Sequence, residues 1–136
     1  MKKRNYNNLY ISYFDVGSLK KTPQNLQHDF LNSYALSLGG SIHFYTNEDF
    51  NSLGSQIVIR SKIDEEINVK GFIFFSIAQL CYGEKPNLDI ADNIISHNYE
   101  VHFARENLAV CCKDDLHLFD ETLLIYYKLH NNKLKI

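Results

Sequence analysis

The 136-residue sequence predicts an α/β protein, a small parallel sheet with helices on both faces in a three-layer sandwich. Three observations predict it. Short β-rich segments alternate with helical ones along the chain, giving about four strands joined by crossover helices. The segment Gly71-Phe72-Ile73-Phe74-Phe75-Ser76-Ile77 is apolar on both alternating sides, as a central parallel strand covered twice must be. Composition is ordinary for a globular chain, 45% hydrophobic and 22% charged, and the length suits one domain over 1–136 with frayed tails at 1–8 and 131–136.

The elements follow in order. Leu9-Tyr10-Ile11-Ser12-Tyr13-Phe14 is short and rich in β-formers, so it reads as the first strand. Asp15 to Lys21, with Gly17 and Ser18, is a loop. Thr22 is the expected N-cap and Pro23 the first helical position. Leu26, Phe30, Leu31, Tyr34, Ala35 and Leu38 keep helical spacing and form one apolar stripe, and Gly39-Gly40 supplies the left-handed stop. Ser41 to Thr46 is a second strand, broken by Asn47-Glu48-Asp49. Ile57-Val58-Ile59 has strand character, but Leu53, Ile57, Ile63 and Ile67 roughly share a helical face. The charged stretch Arg60 to Glu66 favours helix there.

After the central strand, Gly83 and Pro86 mark a loop, and Asn87 caps a helix carrying Leu88, Ala91, Ile94 and Ile95 that ends near Asn98. Tyr99 to Ala104 is the fourth strand. Asp114 or Asp115 caps a last helix with Leu116, Phe119, Leu123 and Tyr127 on one side. Its stretch Leu123-Leu124-Ile125-Tyr126-Tyr127 is nearly apolar all round and must be buried somewhere, which suits a homo-oligomer packed through this helix.

Several function classes are disfavoured. A net charge of −2 and a pI near 6.3 argue against a nucleic-acid binder. The longest apolar run, Gly71 to Leu80, is about half a membrane span, so no membrane partner is expected. Met1-Lys2-Lys3-Arg4 is followed by Asn5, Asn7 and Asn8 rather than the apolar core of a secretory signal, which predicts a cytoplasmic protein. Three cysteines do not make a disulfide framework. No Gly-x-Gly-x-x-Gly or Walker loop is present, so no nucleotide cofactor is expected. Cys111-Cys112 lacks C-x-x-C spacing and reads as buried strand. His102 and Glu106 have a metal spacing only on a helix, where a strand end is predicted. His28, His43, His97, His117 and His130 share no ligand spacing, and the reading is therefore no metal and no cofactor.

In an open parallel sheet ligands sit beyond the carboxyl ends of the strands. Ser12 ends the first strand, Glu48 follows the second, Ser76 and Gln79 follow the third, and His102 with Glu106 ends the fourth. Gln24 and Gln27, in the first helical turn, point at the same edge. The expectation is a shared cleft with His102, Glu106 and Glu48 catalytic and Ser12, Gln24, Gln27, Ser76 and Gln79 binding substrate. Plain structural roles compete with it: small serines at strand ends, Glu48 as a helix cap, exposed glutamines, and a satisfied core histidine. His102 leads because imidazole alone titrates near neutral pH unperturbed.

Thr22-Pro23-Gln24 with Gln27 and Tyr34, then Glu48, then Phe75-Ser76-Ile77-Ala78-Gln79-Leu80, then the run from Glu100 to Leu108 resemble the small "sporadic carbohydrate cluster" family of bacterial surface-polysaccharide loci. The resemblance spans roughly residues 9 to 110, most of this chain. It departs at the first strand, where Tyr13-Phe14-Asp15 replaces the family's usual arginine. A weaker resemblance, through Tyr10-Ile11-Ser12, the Gln-rich helix start, the Gly-Gly stop and the acidic loop after the second strand, reaches the serine recombinase (resolvase) catalytic fold. The recombinase Arg-Val-Ser and a trailing DNA-binding segment are missing, which leaves a resolvase-like or flavodoxin-like fold without recombination.

What the carbohydrate family implies is an enzyme acting on a sugar or nucleotide-sugar by acid/base chemistry, whether isomerase, epimerase, lyase or hydrolase. The alternative is a non-catalytic glycan-precursor-binding or scaffolding module.

Overall fold

The fold is that of a computed structural model, which describes residues 8–49, 53–65, 67–83 and 85–134. In chain order the regular elements are β1 (Leu9–Tyr13), α1 (Gln24–Ser37), β2 (Ser41–Thr46), α2 (Ile57–Asp64), β3 (Gly71–Phe74), α3 (Asp89–Ser96), β4 (Glu100–Phe103), β5 (Leu108–Val110) and α4 (Leu116–Leu134). Short 3-10 turns follow β1 at Val16–Ser18 and β3 at Ile77–Leu80.

The sheet order is β2-β1-β3-β4-β5. β1 pairs in parallel with both β2 and β3, and β3 with β4, while β5 returns antiparallel to β4. This is the doubly wound order, with its switch point between β1 and β3. The sheet thus has five strands where about four were expected. The extra one spans only Leu108–Val110, too short to leave a periodic signal. Because that strand stops at Val110, Cys111 and Cys112 lie beyond it and are exposed, which corrects their reading as buried strand residues.

Side-chain alternation assigns the two faces. Tyr10, Phe14, Ile73, Phe75 and Ala104 pack with Leu31 and Ala35 of α1 on one side. Ile11, Tyr13, Phe72, Phe74, Val101 and Phe103 pack on the other, against Ile59 and Ile63 of α2, Ile90 and Ile94 of α3, and Phe119 and Leu123 of α4. Helices on both faces and a central buried β3 are as the alternation predicts. Gly71 sits where β3 runs closest to β4: a Cβ there would meet the Glu100 carbonyl oxygen at 2.3 Å. Gly39 takes φ 78°, the left-handed stop expected after α1.

Three local readings need correction. In α1 the expected stripe is rotated, with Leu26 and Phe30 exposed at 53% and 44% while Gln27, Leu31 and Ala35 are buried. The N-cap is Pro23 rather than Thr22, whose carbonyl instead accepts a hydrogen bond from the Gln27 amide. Likewise Leu88, not Asn87, caps α3, and Asn87 Nδ2 donates to the Gly54 carbonyl. α4 buries Phe119 and Leu123 completely, yet Leu118, Ile125 and Leu129 face outward. No helix among the described residues is long and apolar enough to cross a membrane.

Candidate functional site

The carboxyl ends of β1 and β3 diverge at the switch point, and the chain leaving each strand builds the walls of a cleft. Asp15 is the second residue past the end of β1 and is 1% exposed. Its carboxylate accepts hydrogen bonds from Gly17 N at 3.0 Å and from the Tyr82 hydroxyl at 2.7 and 2.9 Å. Gln27 clamps the Asp15 backbone from α1: its Oε1 accepts from Asp15 N at 2.6 Å, and its Nε2 donates to the Asp15 carbonyl at 2.9 Å.

Gln79 does the same from the β3 side. Its Nε2 donates to the carbonyls of Tyr13 and Phe14, each at 3.1 Å, and its Oε1 accepts from Ser76 N at 3.0 Å. Ser76 and Gln79 also form a capping box on the 3-10 turn. The Ser76 hydroxyl donates to Glu106 Oε2 at 2.9 Å, and Ile77 N donates to Glu106 Oε1 at 2.9 Å. Two buried amides and one carboxylate therefore fix the three loops that meet at this edge.

Between those loops lies a cleft of about 410 Å³ lined by Asp15, Gly17, Ser18, Lys20, Lys21, Ala78, Tyr82, Arg105 and Tyr126. Three cations face one carboxylate there. A second hollow of about 250 Å³ adjoins it across Arg105 and is walled by Thr22, Leu26, Phe30 and Phe75. Burial, reinforced by the Asp15 charge, pushes the Tyr82 hydroxyl far above the usual phenol range, and burial also raises Tyr126. Both stay protonated at neutral pH and serve as donors. Gly17 leaves room for the Tyr82 ring, since a Cβ would lie 2.6 Å from the ring and hydroxyl atoms and displace them.

Of the other residues picked out by sequence, Glu48 shares this edge and the rest fall elsewhere. Glu48 is buried at this edge on the α2 side, where it lines a small hollow with Asp15, Gln79 and Tyr82 and accepts from Val58 N at 2.9 Å, Ile59 N at 3.0 Å and the Tyr13 hydroxyl. It caps α2, the plain structural role. Burial raises its carboxyl above the usual range, and the α2 amides and Arg60 only partly oppose this.

His102 lies mid-sheet, level with Ile73 and Ser12, on the α1 face and so opposite to Glu48. Its Nδ1 meets the Tyr34 hydroxyl at 3.0 Å and its Nε2 meets Glu100 Oε1 at 3.0 Å. Tyr34 belongs to the last turns of α1, so the ring leans toward the amino edge. Ser12 is fully buried with no partner for its hydroxyl, and Gln24 is exposed at the start of α1.

The structure thus gathers Gln27, Glu48, Ser76, Gln79 and Glu106 at one edge and does not bring His102, Ser12 or Gln24 to them. Asp15, Lys20, Lys21 and Arg105 were not picked out from the sequence, although each directly follows a predicted strand or lies in the first loop. Tyr82 and Tyr126 carry no sequence signal, because Tyr82 reaches Asp15 across 67 residues. No known protein family and no curated protein matches this chain.

Proposed function

We propose that this protein is a small enzyme of bacterial surface-carbohydrate biosynthesis that acts on a phosphorylated sugar, nucleotide-linked or not, in the carboxyl-edge cleft. The observation that carries the reading is the placement of Lys20, Lys21 and Arg105 around the Asp15–Tyr82 pair. The cations suit phosphate oxygens, to which charge-assisted hydrogen bonds are the strong ones. The hydroxyls of Ser18, Tyr82 and Tyr126 suit sugar hydroxyls, because they bond polar groups without adding charge. The carbohydrate context comes from the sequence resemblance.

In this reading Asp15 moves the proton in an isomerisation, epimerisation, elimination or hydrolysis, a contribution of roughly 10²–10⁴-fold. Tyr82, held as the phenol, orients it. Glu106 is a positioning residue that anchors Ser76 beside Arg105, whose Nε lies 3.9 Å from Glu106 Oε2. His102 lies mid-sheet and is not among the residues lining this cleft, whereas Asp15 lines it, so the proton transfer is assigned to Asp15.

Calorimetric titration against a panel of sugar phosphates and nucleotide sugars, with product followed by NMR, tests this. Arg105→Ala and the double change Lys20→Ala, Lys21→Ala are each expected to weaken binding about tenfold or more. Asp15→Asn should abolish product while binding persists. Affinity indifferent to all three cations would overturn the reading. Binding without product in the unmodified protein would favour a second one, a glycan-precursor-binding or scaffolding module, which the exposed Leu118, Ile125 and Leu129 of α4 also favour.

A further inference from the structure

The geometry points to a zinc(II) site formed by Glu100, His102 and Cys111 at the amino end of β4, with one coordination position open to solvent. One ligand atom from each residue lies within 4.8 Å of the other two. Strand register explains why residues apart in sequence converge. β4 and β5 pair Val101↔Val110 and His102↔Ala109, so one step further sets Glu100 opposite Cys111. Directly opposed residues share a face of the sheet, and His102, two positions along β4, shares it too. An acidic residue and a histidine at i and i+2, with a cysteine across the turn, is therefore a strand-borne ligand set rather than the helical one sought in the sequence.

The donor chemistry selects the metal. Imidazole, carboxylate and thiolate together suit zinc, whereas magnesium and calcium take oxygen ligands. Metal–ligand bonds of roughly 2.0–2.3 Å in a tetrahedron place donor atoms about 3.3–3.7 Å apart, so only small side-chain shifts are needed. Two anionic ligands balance the dication, and binding exchanges the Cys111 thiol proton, released to solvent, for a metal–sulfur bond.

The surroundings already hold the ligands as a metal site requires. The Tyr34 hydroxyl at 3.0 Å occupies His102 Nδ1, leaving Nε2 toward Glu100 and Cys111. The Tyr10 hydroxyl lies 3.4 Å from Glu100 Oε1, and the rings of Tyr10 and Tyr34 each stand edge-on to the imidazole at 5.6 Å. Such outer contacts fix ligand orientation.

A cysteine–histidine nucleophile pair fits worse, since both ring nitrogens already have other partners. Lys70 Nζ, 3.9 Å from Glu100 Oε2, is the group a metal ion must compete with. A cleft of about 390 Å³ borders Glu100 and Cys111 and gives the ion its entry and room for a solvent ligand. Three protein ligands with a fourth position free is the pattern of reactive rather than purely structural zinc sites. This site lies toward the amino edge of the sheet and does not depend on the carboxyl-edge reading.

The full chain, stripped of metal by chelator, is titrated with cobalt(II) and, in competition with a chromophoric chelator, with zinc(II). One cobalt per chain with a thiolate-to-cobalt charge-transfer absorption is expected. Cys111→Ser should remove that absorption and weaken zinc by more than about 100-fold, beyond what an outer contact is worth. Glu100→Gln, a near-isosteric change at a partly exposed side chain, should also weaken zinc. Cys112→Ser and Cys81→Ser should leave both readouts intact. Cobalt bound without the charge-transfer band, or zinc affinity equal in the unmodified chain and in Cys111→Ser, would overturn the site. So would equal loss in Cys112→Ser, which indicates adventitious surface-thiol chelation.

Discussion

At the scale of single residues, the two glutamines of the first turn of α1 separate structure from surface. Gln27 is fully buried and spends its whole amide on the backbone of Asp15 and Thr22. Gln27→Leu strands a buried N–H and two carbonyls, each costing about 1–3 kcal/mol when unpaired. A loss of roughly 3 kcal/mol in urea unfolding is expected, together with weaker cleft binding because Asp15 is released. Gln24→Leu, at an exposed position, should stay within about 0.5 kcal/mol of the unmodified protein. A second residue-scale expectation concerns Gly17. Gly17→Ala drives a methyl into the Tyr82 ring, so Tyr82 must leave Asp15. Calorimetry should show cleft affinity falling about tenfold while far-UV circular dichroism is unchanged.

At the scale of elements, α2 starts on a carboxylate that the fold has desolvated. Glu48 caps Val58 and Ile59, and burial holds its carboxyl above the value it has in the unfolded chain. Between those two values the folded state binds more protons than the unfolded state, so stability falls as pH rises through that window. Urea midpoints measured against pH should show this decline for the unmodified protein and lose it in Glu48→Gln, with the two curves parallel elsewhere. The cap itself was legible as one reading of Glu48, because an acidic residue ahead of a helical pattern has that use.

Strand and helix alternation was legible throughout, since helices of eight residues or more and a doubly apolar β3 leave periodic signals. β5 was not, at three residues. Nor was the roll of α1, because a buried amide paid for by three hydrogen bonds outweighed the apolar pattern of Leu26 and Phe30. The carboxyl-edge site was legible for Ser76, Gln79 and Glu106, which follow strands. It was not legible for His102, because periodicity does not tell a strand's interior from its exit, and register decides which face a side chain takes.

At the scale of the whole molecule, α4 is the element whose apolar surface exceeds what the fold covers. Phe119 and Leu123 face the sheet, while Leu118, Ile125 and Leu129, with Thr122 among them, recur at spacings that return to one outward stripe. The helix has 19 residues and is about 28 Å long, so a second α4 laid antiparallel against it would match stripe to stripe over its length. Total surface is 7961 Å², and an ordinary stable interface takes about 800 Å² per partner, a tenth of that. Two copies packed through α4 reach this only if flanking side chains close around the stripe. Light scattering on a sizing column is expected to give a dimer at tens of micromolar. Ile125→Asp, on the open stripe at 59% exposure, should give a monomer whose thermal unfolding is otherwise ordinary. A strict monomer for the unmodified chain at that concentration would remove self-association from the account and leave the stripe to a different partner.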